Sequence, residues 1–168
     1  MIGIDSMILV YAGIVPRKST SKAAQPPQDL INRARLLLYM HRDDTIVLAT
    51  VAISEILVPV PTSQKGALVA SLSGRFLCPS FDLPAAAIAA ELWSEHKRLP
   101  KDLQYTDRHI LRSDAMIVAS VKSAGATDFY SHDRKCRALA GLIIAAHDLP
   151  TRDPNDMFIL GDMARGEI

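Results

Sequence analysis

Short runs of consecutive apolar residues alternate along this chain with longer segments whose apolar positions follow a helical period. The apolar runs lack two-residue alternation, which is typical of strands buried on both faces of a parallel sheet. They predict strands over residues 2–4, 45–49, 76–78, 127–131 and 142–146. The intervening segments predict helices over residues 6–12, 29–41, 50–59, 63–72, 84–98, 108–124 and 133–140. This order predicts an α/β fold: a three-layer α/β/α sandwich around a central parallel sheet of about five strands.

Some boundaries follow from single residues. We expect Thr50 to cap its helix, Gly74 to end the next one and Gly141 to end the last, since these residue types favour helix termini. Residues 1–150 are predicted to form one domain, and residues 151–168 a C-terminal extension without an assigned role.

Composition narrows the class of protein. A hydrophobic fraction of 49% fits a folded chain, and a net charge of +1 neither indicates nor excludes nucleic-acid binding. No apolar run reaches the roughly 18 residues of a membrane span, and no charged leader precedes the first strand. Two isolated cysteines, Cys78 and Cys136, and scattered histidines argue against a disulfide framework or a zinc site. We therefore expect a cytoplasmic protein without a membrane partner.

Four acidic residues fall where the predicted fold gathers the carboxyl ends of its strands. Asp5 ends the first strand, and Asp133 follows the fourth. Glu55 lies on the helix that leaves the second strand, and Asp114 lies near the start of the helix that leads into the fourth. Because ligands of open parallel sheets bind beyond the carboxyl ends of the strands, we expect these four side chains to share one site.

Four carboxylates in one pocket repel one another. Two unit charges about 4 Å apart cost about 4 kcal/mol at an effective dielectric constant near 20. A divalent cation would offset this repulsion, and ligands that are all oxygen suit Mg²⁺ or Mn²⁺ rather than zinc. We therefore predict that Glu55, which interrupts the apolar stretch LATVAISEILVPV, is paired with a metal ion and through it with the three aspartates.

Each acid also has an ordinary structural interpretation. Asp5 and Asp133 precede predicted helices, where aspartate is a common N-cap. Asp114 and Glu55 can occupy the solvent-facing sides of amphipathic helices. For each residue alone these alternatives stay open, whereas the joint placement at one end of the sheet favours a common site.

Three segments carry a resemblance to a known family: IGIDSMILVYA, ATVAISEILVPV and LRSDAMIVASVKSAGATDFYSHDRKCRAL. The first matches a hydrophobic strand that ends in Asp followed by Asn, Ser or Thr, here Asp5-Ser6. The second matches a helix with an embedded Glu. The third matches an Asp-x-x-Ile/Val-x-Ala helix, a strand and a Thr/Ser-x-Asp turn, here ending in Asp133. Together the segments resemble the PIN-domain nucleases, including the VapC-type toxins of bacterial and archaeal toxin–antitoxin pairs.

The resemblance implies a PIN-like fold and Mg²⁺- or Mn²⁺-dependent endonucleolytic cleavage of RNA that leaves a 5′-phosphate and a 3′-hydroxyl. The four acids match the family's acidic quartet. Asp5 and Asp114 would hold the primary ion with help from Glu55, and the fourth acid would serve a second ion or position the attacking water. Ser6 and Ser131 match supporting polar positions that hydrogen-bond the acids or metal-bound water.

The resemblance also implies partners: an RNA substrate, an antitoxin protein and a second copy of the chain in a homodimer. Cations beside the site are expected to contact flanking phosphates, although a run such as DRKCR can equally be a solvated helix face. These cations are Arg108, Arg112, Arg134 and Lys135.

Two rival functions remain from other classes. One is a PIN-like regulatory module that binds a metal or a partner without cleaving RNA. The other is a phosphoryl-transfer protein of the phosphatase or receiver type. The phosphatase type requires Asp-x-Asp after its first strand, where this chain has Asp5-Ser6-Met7, and the receiver type requires a lysine near Ser131, where none stands. The sequence therefore disfavours phosphoryl transfer.

Overall fold

The computed structural model describes residues 1–15 and 26–151 of the 168-residue chain. Within them lie four strands: β1 (Ile2–Ile4), β2 (Ile46–Val47), β3 (Asp128–Tyr130) and β4 (Ala145–His147). The α-helices of the same ranges are α1 (Ser6–Ala12), α2 (Gln28–Met40), α3 (Thr50–Leu57), α4 (Thr62–Arg75), α5 (Leu83–Glu95), α6 (Arg108–Ser123) and α7 (Arg134–Ala140). Two 3₁₀ turns, His96–Arg98 and Lys101–Leu103, connect α5 to α6. The predicted α/β fold with a parallel central sheet is confirmed.

The sheet is wholly parallel, in the order β2-β1-β3-β4. The chain leaves β1 to add β2 on one side and later returns to add β3 on the other. This reversal makes the carboxyl end of β1 the topological switch point, where open parallel sheets bind ligands. The backbone continues the pairing there, since the N–H of Asp5 donates to the carbonyl of Tyr130 at 3.0 Å.

The sheet departs from the prediction at both margins. The strand expected over residues 76–78 is reduced to one parallel bridge, in which Leu77 exchanges backbone hydrogen bonds of 2.9 Å with Ile46 and Leu48. The strand expected over residues 142–146 begins at Ala145, because the N–H groups of Ile143 and Ile144 turn back to Ala140 O at 3.0 Å. The described residues therefore contain four strands rather than five.

Two predicted helix boundaries are wrong. Thr50 is the first residue of α3 rather than its cap, which is Ala49, and its hydroxyl donates to the carbonyl of Pro79 at 3.1 Å. Gly74 lies inside α4, which continues to Arg75. Gly141 does terminate α7, as expected. Residues 152–168, most of the predicted C-terminal extension, lie outside the described part of the chain.

One close contact sets the position of α6 against the sheet. Gly3 is buried in the middle of β1, and a Cβ atom added there would overlap the side chain of Val121 on α6. Ile4, Phe129 and Ile117 form part of the apolar core around this contact. The missing side chain thus lets α6 pack directly on β1. None of the helices in residues 1–15 and 26–151 is long and apolar enough to cross a membrane.

Candidate active site

Asp5 lies at the carboxyl end of β1 with only 8% of its surface exposed. It stands at the N-cap position of α1, but its side chain makes no capping hydrogen bond. Instead its two carboxylate oxygens accept hydroxyl hydrogen bonds from Ser6 at 3.2 Å and Ser131 at 2.8 Å. Burial raises the pKa of Asp5, the two hydroxyls oppose this, and the charge of Glu55 adds to it. The Asp5 carboxylate is therefore held by two serine hydroxyls rather than as a helix cap.

Glu55 is exposed, so the burial penalty expected from its apolar neighbours in sequence does not apply. Its carboxylate nevertheless turns toward Asp5. Oε2 accepts from Ser6 Oγ at 3.3 Å, and Oε1 accepts from the Ser113 hydroxyl on α6. Because a serine hydroxyl has one proton, Ser6 is shared between the carboxylates of Asp5 and Glu55. The partners of Glu55 in the structure are thus two serines, which connect α3 to α1 and α6.

Asp114 lies on the second turn of α6 and is mostly buried. Its Oδ2 accepts a hydrogen bond of 2.7 Å from the hydroxyl of Tyr105. Burial, as the largest cause, and the charges of Asp5, Asp133 and Glu55 together raise the pKa of Asp114 to about 7, against the lowering effect of the Tyr105 hydrogen bond. The solvent-facing alternative is therefore wrong for Asp114, which lies within electrostatic range of the other three acids.

Asp133 is the N-cap of α7, as its ordinary interpretation suggested. Its Oδ1 accepts from the N–H groups of Lys135 at 2.7 Å and Cys136 at 3.3 Å. Its own N–H donates to Ser131 Oγ at 3.1 Å, and Ser131 Oγ in turn donates to Asp5. The cap engages one carboxylate oxygen, so Asp133 can serve both α7 and the site.

The charge of this group is not neutralised by nearby basic side chains. In the part of the chain that the structure describes, none of the four acids forms an ion pair with Lys, Arg or His. Burial raises the pKa of the thiol of Cys136, and Asp5, Asp114 and Asp133 raise it further, which places this thiol against the same negative field. The site therefore has two ways to relieve repulsion: Asp114 can bind a proton, or the group can bind a cation.

The donor chemistry fits a divalent cation with oxygen ligands, although the side chains are not arranged around one. No three His, Cys, Asp or Glu side chains in residues 1–15 and 26–151 converge as a ready metal-binding group. Hydroxyls of Ser6, Ser113, Ser131 and Tyr105 instead occupy carboxylate oxygens of three of the acids. Each carboxylate keeps further lone pairs beside these hydrogen bonds, so binding an ion would require the side chains to converge but not to give up every hydroxyl partner.

Comparisons with known proteins identify the fold. No protein-family model and no curated protein matches the sequence. The chain is similar to a chain in the crystal structure of VapBC2 from Rickettsia felis bound to a DNA fragment from their promoter. The similarity covers 89% of this chain and 100% of that chain, with a TM-score of 0.58 and 14% sequence identity. The chain has a PIN-like fold of the VapC type.

Around the acids of this VapC-type fold, the predicted RNA-binding cations lie in different surroundings. Arg108 and Arg112 line a cavity between α5 and α6. Lys135 Nζ lies 6.0 Å from the ring centroid of Tyr105. Arg134 points instead to Asp102, at 3.6 Å. Three of the four cations therefore lie beside Tyr105 or the cavity that it lines, and the fourth has a carboxylate partner.

Two polar contacts of the candidate site were not predicted from the sequence. Tyr105 lies in an irregular segment after a 3₁₀ turn, where no periodicity marks a functional side chain. Ser113 precedes Asp114 directly, so its position beside a predicted site acid was the available signal. Ser6 and Ser131, which were predicted, do contact the acids.

Proposed function

We propose that this chain is a Mg²⁺- or Mn²⁺-dependent endoribonuclease. The observation that supports it most is the meeting of four acids without basic partners at the switch point of a VapC-type sheet. A phosphodiester is an anion, so such a pocket repels its substrate unless a cation reverses the local charge. A metal-dependent phosphodiesterase needs this arrangement, whereas a protein that only binds RNA gains nothing from it.

The side chains have distinct roles in this proposal. Asp5 and Asp114 would hold the primary ion, with Glu55 assisting and Asp133 serving a second ion or the attacking water. Such an ion supplies charge neutralisation at the phosphate and lowers the pKa of bound water. Ser131 fixes the orientation of the Asp5 carboxylate through its 2.8 Å hydrogen bond. Burial and nearby acids raise the pKa of the Tyr105 phenol, which therefore stays protonated and remains a donor to Asp114.

The experiment is incubation of purified protein with a mixed RNA pool in Mn²⁺ or in EDTA. Wild-type protein should cleave only with metal, and Asp5→Asn should abolish cleavage while the fold is kept. Asp43→Asn is a matched control, since it removes a surface carboxylate whose side chain is 89% exposed. Cleavage that persists in Asp5→Asn, or that ignores EDTA, would reject the proposal.

The products give a second check. Attack by water leaves a 5′-phosphate and a 3′-hydroxyl, which end-labelling can distinguish. A 2′,3′-cyclic phosphate would instead indicate attack by the ribose 2′-hydroxyl and contradict the roles given to the acids.

The role of the basic residues in RNA binding is tested through the salt dependence of the binding constant. Reversing Arg134 and Lys135 to Glu should flatten the dependence of RNA binding on salt, because each phosphate contact releases counterions. An unchanged slope would remove these two residues from the interface. Since Arg134 already faces Asp102, we expect Lys135→Glu alone to account for most of the change.

We further propose that the chain is the toxin of a toxin–antitoxin pair and forms a homodimer. The similarity to a chain of the VapBC2 complex supports this, as do exposed apolar side chains on the first two helices, Met7 at 39% and Met40 at 56% exposure. Expression of the wild type should arrest growth, whereas Asp5→Asn should not. Light scattering of the purified chain should give twice the chain mass, and a monomer would contradict the dimer.

A non-cleaving module remains the second candidate, because the acids do not form a ready metal-binding group. That candidate, which binds a metal or a partner without cleaving, predicts intact RNA in Mn²⁺ whether or not the ion shifts the melting temperature. The cleavage assay therefore separates the two functions without a further experiment.

A further inference from the structure

A cavity of about 460 Å³ opens between α5 and α6, beside the acids. We call it the α5–α6 pocket, and it lies within the size range of small-ligand sites. Its lining consists of three rings, three cations and an apolar side chain: Trp93, His96, Tyr105, Lys97, Arg108, Arg112 and Leu111. No carboxylate belongs to this lining. The pocket therefore has the opposite charge to the adjacent acidic site and suits an anion with a flat apolar part.

The pocket and the acidic site share one wall. Tyr105 lines the pocket, and its hydroxyl donates to Asp114 at 2.7 Å. A ligand in the pocket is thus separated from Asp114 by the Tyr105 side chain. If a phosphodiester of the RNA is positioned at Asp114, the neighbouring nucleotide of the same strand is within reach of the pocket.

The rings and cations are combined in the way that single-stranded nucleic acid requires. The Arg112 guanidinium lies 5.6 Å from the centroid of the Trp93 ring, close enough for a cation–π contact. Bases stack on aromatic rings and on arginine planes, while lysine and arginine contact the phosphates. A base paired in a duplex cannot enter such a pocket, because its faces and edges are already occupied.

The rim of the pocket is held in place by hydrogen bonds. Gln104 Nε2 donates to the carbonyls of Lys97 at 3.0 Å and Leu99 at 2.8 Å, which ties together the turn after α5. His96 Nδ1 lies 2.7 Å from the carbonyl of Trp93, so this nitrogen carries the proton. In the neutral ring, Nε2 is then a hydrogen-bond acceptor for a ligand. The pocket wall is therefore a defined surface rather than a loose loop.

We infer that the α5–α6 pocket binds one unpaired nucleotide of the RNA next to the cleaved bond, with its base against Trp93 and its phosphate against the pocket cations. This inference rests on the proposed nuclease function and names the substrate class more closely: the enzyme requires single-stranded RNA at the cut, and the pocket contributes to its base preference.

Trp93 is the one tryptophan of the chain, so its fluorescence reports directly on the pocket. The full-length Asp5→Asn protein, which should not cleave, is titrated with a 12-nucleotide RNA and with the same RNA as a blunt duplex. We expect saturable quenching by the single strand and at least fivefold weaker binding of the duplex. Equal quenching by the duplex, or quenching by polyglutamate but not by RNA, would overturn the inference.

Kinetics supply the second test. Trp93→Ala should raise KM about 5- to 150-fold, the range that loss of base stacking gives, with kcat changed less than twofold. Trp93→Phe should restore most of the affinity, since it keeps a ring. Leu83→Ala is the matched control, on the same helix with the leucine 86% exposed and outside the pocket lining.

The two proposals fail in different ways. If the wild type cleaves RNA but Trp93→Ala keeps KM within twofold and labelled RNA binds without quenching Trp93, the nuclease stands and the pocket assignment is overturned. If RNA is neither bound nor cleaved, both are overturned.

Discussion

Asp114 bears an electrostatic penalty at the site, and this penalty predicts how stability depends on pH. Burial, with the charges of Asp5, Asp133 and Glu55, raises its pKa from 3.8 to about 7. A carboxyl with a raised pKa in the folded state binds its proton more tightly there than in the unfolded chain. The protonated Asp114 carboxyl therefore contributes fully to the free energy of unfolding below about pH 4, and this contribution is lost as the pH rises through 7. The full difference is up to about 4 kcal/mol, of which about 3 kcal/mol is lost between pH 5 and 8.

The measurement is urea unfolding in EDTA at pH 5 and pH 8. From pH 5 to pH 8 the free energy of unfolding of the wild type should fall by about 3 kcal/mol more than that of Asp114→Asn, because asparagine has no proton to lose. Asp5, whose pKa is also raised by burial, leaves the variant a loss in the same direction. Asp43→Asn should follow the wild type, because that carboxylate is exposed. If wild type and Asp114→Asn lose stability equally over this range, the electrostatic account of the site is refuted.

Other substitutions test the packing and the polar contacts of the site. Gly3→Ala should lower the unfolding free energy by about 1–3 kcal/mol through overlap with Val121, whereas Gly74→Ala, whose Cβ meets nothing within 4 Å, should be neutral or stabilising in the same urea assay. Ser131→Ala should lower the free energy of unfolding by about 1–3 kcal/mol, because it leaves a buried Asp5 oxygen without its donor. NMR titration should show that the pKa of Asp5 rises further. An unchanged pKa would contradict the contact. Mn²⁺ at about 100 times its Kd should stabilise the wild type by about 3 kcal/mol in thermal melts; an equal shift in Asp5→Asn would exclude Asp5 as a ligand.

The order of apolar and periodic segments was sufficient to predict the parallel α/β fold. Asp5 follows the apolar run of the first strand, and Asp114 lies on the second turn of a long helix, so their place in that fold follows from the order of elements. The strands at the two edges of the sheet were harder to predict. Residues 76–78 are as apolar as a strand, yet only Leu77 bridges to the neighbouring strand. Apolar character predicts burial, whereas pairing also depends on turns and packing that local sequence does not specify.

The environment of each acid depends on contacts distant in sequence. Glu55 lies among apolar residues along the chain but is exposed, because helical periodicity turns its side chain away from the core. Tyr105 reaches Asp114 from the irregular segment between the second 3₁₀ turn and α6, and no local pattern encodes that contact. The sequence thus indicated Ser6 and Ser131 as partners of the acids, but not Tyr105 and Ser113.

The direct seating of α6 on β1 at Gly3 has an architectural consequence. Asp5 and Asp114 are carried by two backbones in contact, so their spacing is independent of the long stretch of chain that joins them. Insertions, deletions or whole replacement modules in that stretch can alter substrate range or partner choice while the reactive pair keeps its geometry. One absent methyl group thus keeps these two carboxylates on elements in direct contact, whatever the length of the connections between the helices that separate them in sequence.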